Sequence, residues 1–345
     1  MTTDVTAPTP THDLVVERDV RIPTGEPGVT LSADVYRPAT PDRVPALVTV
    51  VPYRKDYVAG ATYEAPARWF AEQGYASVIV DLRGTGASDG IRRPEFDPGD
   101  GDDAVAAIEW AAAAPWCDGS VGAWGLSYAA NTTLRAASRA PAALRAIIVV
   151  AHTLDAGRDS VHPDGARGDF HALLNRGASM LLQQLLPPLV DYESAAAQAR
   201  WRRRLHDVEP ILLDYARRGP DDPRWRDAVI PGGAITVPAL LIAGWRDSFA
   251  GGMVEAYERL AGPKRLIVGP WGHLLPHESA HGPVDFLTIA RQWWDRWLRG
   301  APHVADQPSA PLDAAPVLLS VGDGEWRGVR RLAAAGDPAL VRRHR

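Results

Sequence analysis

Two serines of this 345-residue chain stand where a nucleophile could. Gly86-Ala87-Ser88-Asp89-Gly90 matches G-x-S-x-G letter for letter, whereas Gly125-Leu126-Ser127-Tyr128-Ala129 misses the last glycine. The chemistry asks for more than the letters. A nucleophilic serine of this kind is presented on a sharp turn from strand to helix. Pro94 and Pro98 follow Ser88, and no helical pattern opens behind it. Ser127 follows the apolar run 121–124 directly and opens a run with helical spacing at 128–138. Alanine meets the need for a small residue there as long as its φ stays negative. Context therefore favours Ser127 over Ser88, with the plainer reading of a helix-capping serine equally open for Ser127 taken alone.

A serine hydroxyl attacks only when a base takes its proton and a carboxylate orients that base. Asp247 follows the apolar run 240–243 through Gly244-Trp245-Arg246, and His273 follows the run 266–268 through Gly269-Pro270-Trp271-Gly272. Singly, these are a helix cap and a loop histidine. Together they give the order Ser, Asp, His of α/β-hydrolase triads. Each lies just past the carboxyl end of an expected strand, where such sheets place their sites.

The elements that must position them read as follows. Runs 14–22 and 31–36 alternate and predict an antiparallel strand pair. Runs 46–51, 76–80, 120–124 and 146–150 are short and apolar throughout, as strands buried on both faces are. Helical spacing at 64–73, 102–114 and 128–138 separates them, which predicts a mainly parallel sheet. The rhythm stops at 152–233, read as an inserted helical cap, and resumes with a strand at 237–243, a helix at 251–260, a strand at 265–268 and a helix at 284–298. The expected division is a disordered lead at 1–12, a core at 13–151 and 234–300, the cap, and a short tail at 301–345.

Composition excludes several classes. Cys117 is the single cysteine, so an internal disulfide and a dithiol or zinc-thiolate site are ruled out. A net charge of −5 with scattered cations offers no nucleic acid a footprint, and Arg202-Arg203-Arg204 reads as a solvated helix face. No apolar run approaches the roughly 18 residues of a membrane span. The start Met1-Thr2-Thr3-Asp4 has neither region of a signal peptide, so a cytoplasmic protein is expected. Gly84-Thr85-Gly86-Ala87-Ser88-Asp89-Gly90 is not spaced as a dinucleotide loop. Asp155, Asp159, His162, Asp164, Asp169 and His171 in the cap read as solvated surface, with a pocket for a cationic substrate, and behind it a metal site, as the other readings. No metal and no cofactor is called for.

The chain resembles the α/β-hydrolase branch of cocaine-esterase/NonD-type hydrolases and X-Pro dipeptidyl-peptidases. The marks are Pro52-Tyr53-Arg54-Lys55, Asp81-Leu82-Arg83-Gly84, Pro115-Trp116-Cys117-Asp118-Gly119, Trp124-Gly125-Leu126-Ser127-Tyr128, Gly244-Trp245-Arg246-Asp247 and Gly269-Pro270-Trp271-Gly272-His273. The resemblance implies an α/β-hydrolase fold and hydrolysis of a small-molecule ester or amide through an acyl-enzyme. It makes Ser127 the nucleophile, His273 the base and Asp247 its orienter. Tyr53 would donate its hydroxyl to the oxyanion, with the Tyr128 N–H as second donor. Tyr53 stands two residues past the run ending at Val51, in the loop that supplies this donor in α/β-hydrolases.

Two departures stand out. Ala130 occupies a place where the family usually carries glycine, and only 317–321 and Gly324-Glu325-Trp326-Arg327 resemble the opening of the family's β-sandwich domain. Either that domain is absent or vestigial or the chain is truncated, and the pocket wall is then expected from the cap, from a partner in a homodimer, or from nothing. An acyltransferase or cyclase using the same triad, and a silent binding protein of the same fold, stay open as alternatives.

Overall fold

The structure, a computed structural model, describes residues 12–166, 170–187, 189, 192–301, 315–322 and 324–330. Among the described residues ten strands form one sheet. They are β1 (Leu14–Pro23), β2 (Thr30–Pro38), β3 (Val44–Val51), β4 (Ala76–Asp81), β5 (Cys117–Leu126), β6 (Leu144–Val150), β7 (Ala239–Gly244), β8 (Lys264–Gly269), β9 (Val317–Gly322) and β10 (Glu325–Val329), in spatial order 1-2-4-3-5-6-7-8-9-10. The helices are α1 (Ala59–Glu72), α2 (Asp100–Ala113), α3 (Tyr128–Ser138), α4 (Phe170–Leu185), α5 (Ala195–Asp207), α6 (Ile211–Arg217), α7 (Pro223–Asp227), α8 (Ala250–Arg259) and α9 (Phe286–Leu298).

β3 to β9 run parallel, flanked by antiparallel β1, β2 and β10. Alternation along each strand sorts its side chains between two layers. In β3, Ala46, Val48 and Val50 enter the core under α2, α3 and α8, while Leu47 and Val51 join the core under α1 and α9. The aromatic face of α9 belongs to that second core: Phe286 and Trp294 are fully buried, and a side chain at Gly122 of β5 would strike the Trp294 ring at 2.8 Å.

The run at 317–321 is a strand of this same sheet. Val317, Leu318 and Leu319 pair in parallel with Leu266, Ile267 and Val268. All three are buried, so covering apolar side chains on both faces is enough to draw the segment into the central sheet. Strand order reverses around β3, which has β4 on one side and β5 on the other. The carboxyl ends of β3 and β5 therefore flank a crevice, the place where open α/β sheets bind ligands.

Candidate active site

Ser127 lies in that crevice, between the last residue of β5 and the first of α3. Its φ of 60° and ψ of −124° are sparsely populated for any non-glycine residue and cost about 1–3 kcal/mol, which the neighbours must hold in place. They do so with hydrogen bonds from the Ser127 N–H to the Val150 carbonyl at 2.9 Å and from the Ala130 and Asn131 N–H groups to the Ser127 carbonyl. The turn is tight enough that a side chain at Gly125 would meet the Ala129 backbone at 2.3 Å. Ala129 itself, inside α3 and without a positive φ, fits where the pattern has its second glycine.

The carboxylate and the imidazole come from the ends of β7 and β8, beyond β6 in the sheet. The Trp245 N–H donates to the Gly269 carbonyl at 2.8 Å and the Arg246 N–H to the Trp271 carbonyl at 2.9 Å, so the loops after β7 and β8 are laced together. Gly244 allows this approach, since a side chain there would collide with the Trp271 carbonyl oxygen at 2.3 Å. The result is a continuous row. Asp247 Oδ2 lies 3.0 Å from His273 Nδ1, and His273 Nε2 lies 2.8 Å from Ser127 Oγ. Asp247 is buried, and its second oxygen accepts the Phe249 N–H at 3.0 Å, so the carboxylate is fixed at both oxygens.

Tyr53, just past β3, brings its hydroxyl oxygen to the Tyr128 N–H at 3.0 Å. Because that oxygen accepts from the backbone, its own proton stays free to donate. Burial raises the phenol's pKa against a lowering hydrogen bond with Ser127, so the hydroxyl keeps that proton. Tyr128 turns its side chain away from the crevice: its hydroxyl accepts from the Phe96 N–H at 2.6 Å and donates to Asp100 at 2.8 Å. Burial pushes the Asp100 carboxyl up to about 6.

A cavity of about 730 Å³ opens over these groups. Tyr53, Tyr63, Leu126, Ser127, Phe249 and His273 form its floor, and Leu173, Arg176, Ser179, Met180 and Gln183 of α4 form a wall. Arg176 pairs with buried Glu95 at 2.8 Å and lies over the Phe96 ring, placing one compensated charge beside the floor.

The model of the X-Pro dipeptidyl-peptidase (S15) family matches residues 27–275, a span that takes in Tyr53, Ser127, Asp247 and His273. The chain belongs to the S15 family. Cocaine esterase of Rhodococcus sp. (strain MB1 Bresler) is 32% identical to this S15 chain over 349 aligned residues, covering 90% of the chain and 59% of the esterase. Among solved structures, a CocE/NonD family hydrolase from Staphylococcus aureus superposes with a TM-score of 0.73 at 22% identity, covering 92% of this chain and 56% of that one. An α-amino acid ester hydrolase gives 0.62 at 19%, covering 96% and 62%. These structures share the fold, and the S15 chain spans less than two thirds of each of the three relatives.

Two sequence expectations for this S15 chain are corrected by its contacts. Arg204 is not on a solvated face: it is buried, and it donates to the Gly86 and Ser88 carbonyls at 3.0 and 2.9 Å. A helix-face pattern cannot register a partner more than a hundred residues away. His162 is likewise buried, 5.3 Å from the Trp225 ring, and Asp159 hydrogen-bonds Thr153 and Arg158. Asp169 lies outside the described residues, as do the side chains of Asp164 and His171. Ser88 has a structural place: its buried hydroxyl donates to the Asp81 carbonyl at 2.6 Å and accepts the Ser32 N–H at 2.8 Å.

Sequence reasoning passed over a network behind the nucleophile. Arg135 donates to Asn131 Oδ1 at 2.9 Å, which turns the Asn131 amide nitrogen toward His152 Nε2, also at 2.9 Å. His152 is therefore neutral with its proton on Nδ1. No motif marks these residues. Their only signal is the spacing of Asn131 and Arg135, four apart on one helix. Among the described residues no helix is long and apolar enough to cross a membrane.

Proposed function

We propose that this chain is a serine hydrolase that cleaves a carboxylic ester or amide through an acyl-enzyme. The observation that carries this reading is the unbroken row Asp247, His273, Ser127, with contacts of 3.0 and 2.8 Å. His273 Nε2 takes the Ser127 proton as Oγ attacks the substrate carbonyl carbon. The Tyr128 N–H, which rests on the Tyr53 hydroxyl oxygen, and the Tyr53 O–H both turn to the carbonyl oxygen as it becomes negative, and their donation stabilises the tetrahedral intermediate. His273 returns the proton to the departing alcohol or amine as its bond to carbon breaks. Water then repeats the sequence on the acyl-enzyme, releasing the acid and restoring Ser127. Asp247 holds the imidazole with its Nδ1 proton inward and offsets the charge of the imidazolium.

Relatives named as a cocaine esterase and an α-amino acid ester hydrolase support the ester-or-amide class. The test is turnover of activated aryl esters by the wild type and by Ser127→Ala. The variant is expected to lose at least about 10³ in kcat. An unchanged kcat would move the nucleophile elsewhere.

A further inference from the structure

One buried side chain joins the loop that carries Tyr53 to the wall of the cavity. Arg54 follows Tyr53 directly and is 1% exposed. Its Nη1 donates to the Gln183 and Leu186 carbonyls at 3.3 and 3.0 Å, and its Nη2 to the Pro187 carbonyl at 2.9 Å. These carbonyls close α4, where no further turn of helix supplies partners and a cation with several donors is favoured. The rest of the guanidinium goes to Asp56: Nε to Oδ1 at 2.9 Å and Nη2 to Oδ2 at 2.8 Å. Asp56 Oδ2 in turn accepts the Leu189 N–H beyond the helix at 3.2 Å. The charge is thus compensated inside the clamp, and both members grip the same chain end.

The backbone at Arg54 has φ of 65°, in the left-handed region that arginine seldom adopts. That turn sends consecutive side chains to different places. Tyr53 reaches the Tyr128 N–H, while Arg54 reaches the end of the helix whose Arg176, Ser179 and Gln183 line the cavity.

We propose that Arg54, together with Asp56, is a positioning residue for the reaction. It holds the Tyr53 hydroxyl at the Ser127 elbow and sets the distance between that hydroxyl and the α4 wall. The proposal rests on the reading of Ser127 and Tyr53 given above and adds a part to it: Arg54 acts on the transition state through Tyr53 and touches no reacting atom.

A double-mutant cycle on the whole chain tests it, with kcat measured on an activated aryl acetate for Arg54→Ala, Tyr53→Phe and the double variant. Arg54→Ala is expected to lower kcat at least about tenfold when Tyr53 is present and less than about twofold when phenylalanine replaces it. Arg54→Lys, which keeps a cation for the carbonyls but no fork for Asp56, recovers part of the loss. Equal factors in both backgrounds would mean a purely structural role and overturn the proposal. If Arg54→Ala does not fold, Asp56→Asn opens the same clamp from its other end and takes its place in the cycle. Reaction of Ser127 with a fluorophosphonate is followed in parallel. A labelled Ser127 with an additive cycle overturns the positioning role alone, whereas a wild type that neither turns over nor labels overturns the hydrolase reading and the proposal with it.

Discussion

The Tyr53 hydroxyl oxygen accepts the Tyr128 N–H at 3.0 Å, so a side chain from the loop after β3 and a backbone group at the start of α3 meet beside Ser127 before any substrate arrives. On the proposed mechanism an incoming carbonyl oxygen takes over the Tyr128 N–H from the Tyr53 oxygen and receives the Tyr53 proton as well. Removing one such donor typically costs about 10²–10³ in kcat. Tyr53→Phe is therefore expected to lower kcat by that factor with KM nearly unchanged, because the contact strengthens only as charge develops. Steady-state kinetics on an aryl ester checks this, and a raised KM with intact kcat would place Tyr53 in ground-state binding instead.

Ser88→Ala is expected to leave kcat unchanged and to destabilise the fold. The hydroxyl bridges the Asp81 carbonyl and the Ser32 N–H where both serines are fully buried, so its loss strands a backbone donor and a backbone acceptor. Leaving such groups unpaired costs about 1–3 kcal/mol. Thermal unfolding and ester turnover measured on the same preparation separate the two effects. A large loss of kcat at intact Tm would return Ser88 to candidacy as nucleophile.

The serine with the perfect motif letters holds a buried structural place, whereas strand-to-helix context picked out Ser127, which lies beside His273. The parallel strands are legible for the same reason: each is a short apolar run with both faces covered, and local pattern carries that information. The three residues of the row are legible because each follows the carboxyl end of a parallel strand, β5, β7 and β8 in turn. What sequence cannot display is contact at long range. Arg204 looks like one member of a basic run, yet its partners lie 116 and 118 residues away. The Arg54 clamp spans 129 to 133 residues, and nothing in Pro52-Tyr53-Arg54-Lys55 says which carbonyls it will meet. The joining of β9 to the main sheet is hidden likewise, since a short, largely apolar run fits either a sheet centre or the first strand of another domain.

His152 gives the fold an acid sensitivity of known sign. Burial, with Arg176 and Arg135 nearby, holds its pKa well below the ordinary histidine value, and the Asn131 amide nitrogen donating to Nε2 requires the neutral ring. Below about pH 6.5 the unfolded chain takes up a proton that the folded chain refuses, so stability falls as pH drops. The slope from this one group is about 1.4 kcal/mol per pH unit until the folded-state pKa is reached. His152→Gln keeps an acceptor for Asn131 and removes the titration. Denaturant unfolding of both proteins between pH 7 and 5 should show the variant gaining on the wild type by that slope. Parallel curves would mean that His152 titrates normally.

The most direct measurement is reaction of the folded chain with a fluorophosphonate probe, followed by mapping of the modified peptide. It needs no knowledge of the substrate and asks only whether an activated serine is present. The hydrogen-bonded row predicts a single label, on Ser127, that disappears in His273→Ala. A label on Ser88, or none on folded protein, would contradict the assignment of Ser127, His273 and Asp247 as a working triad.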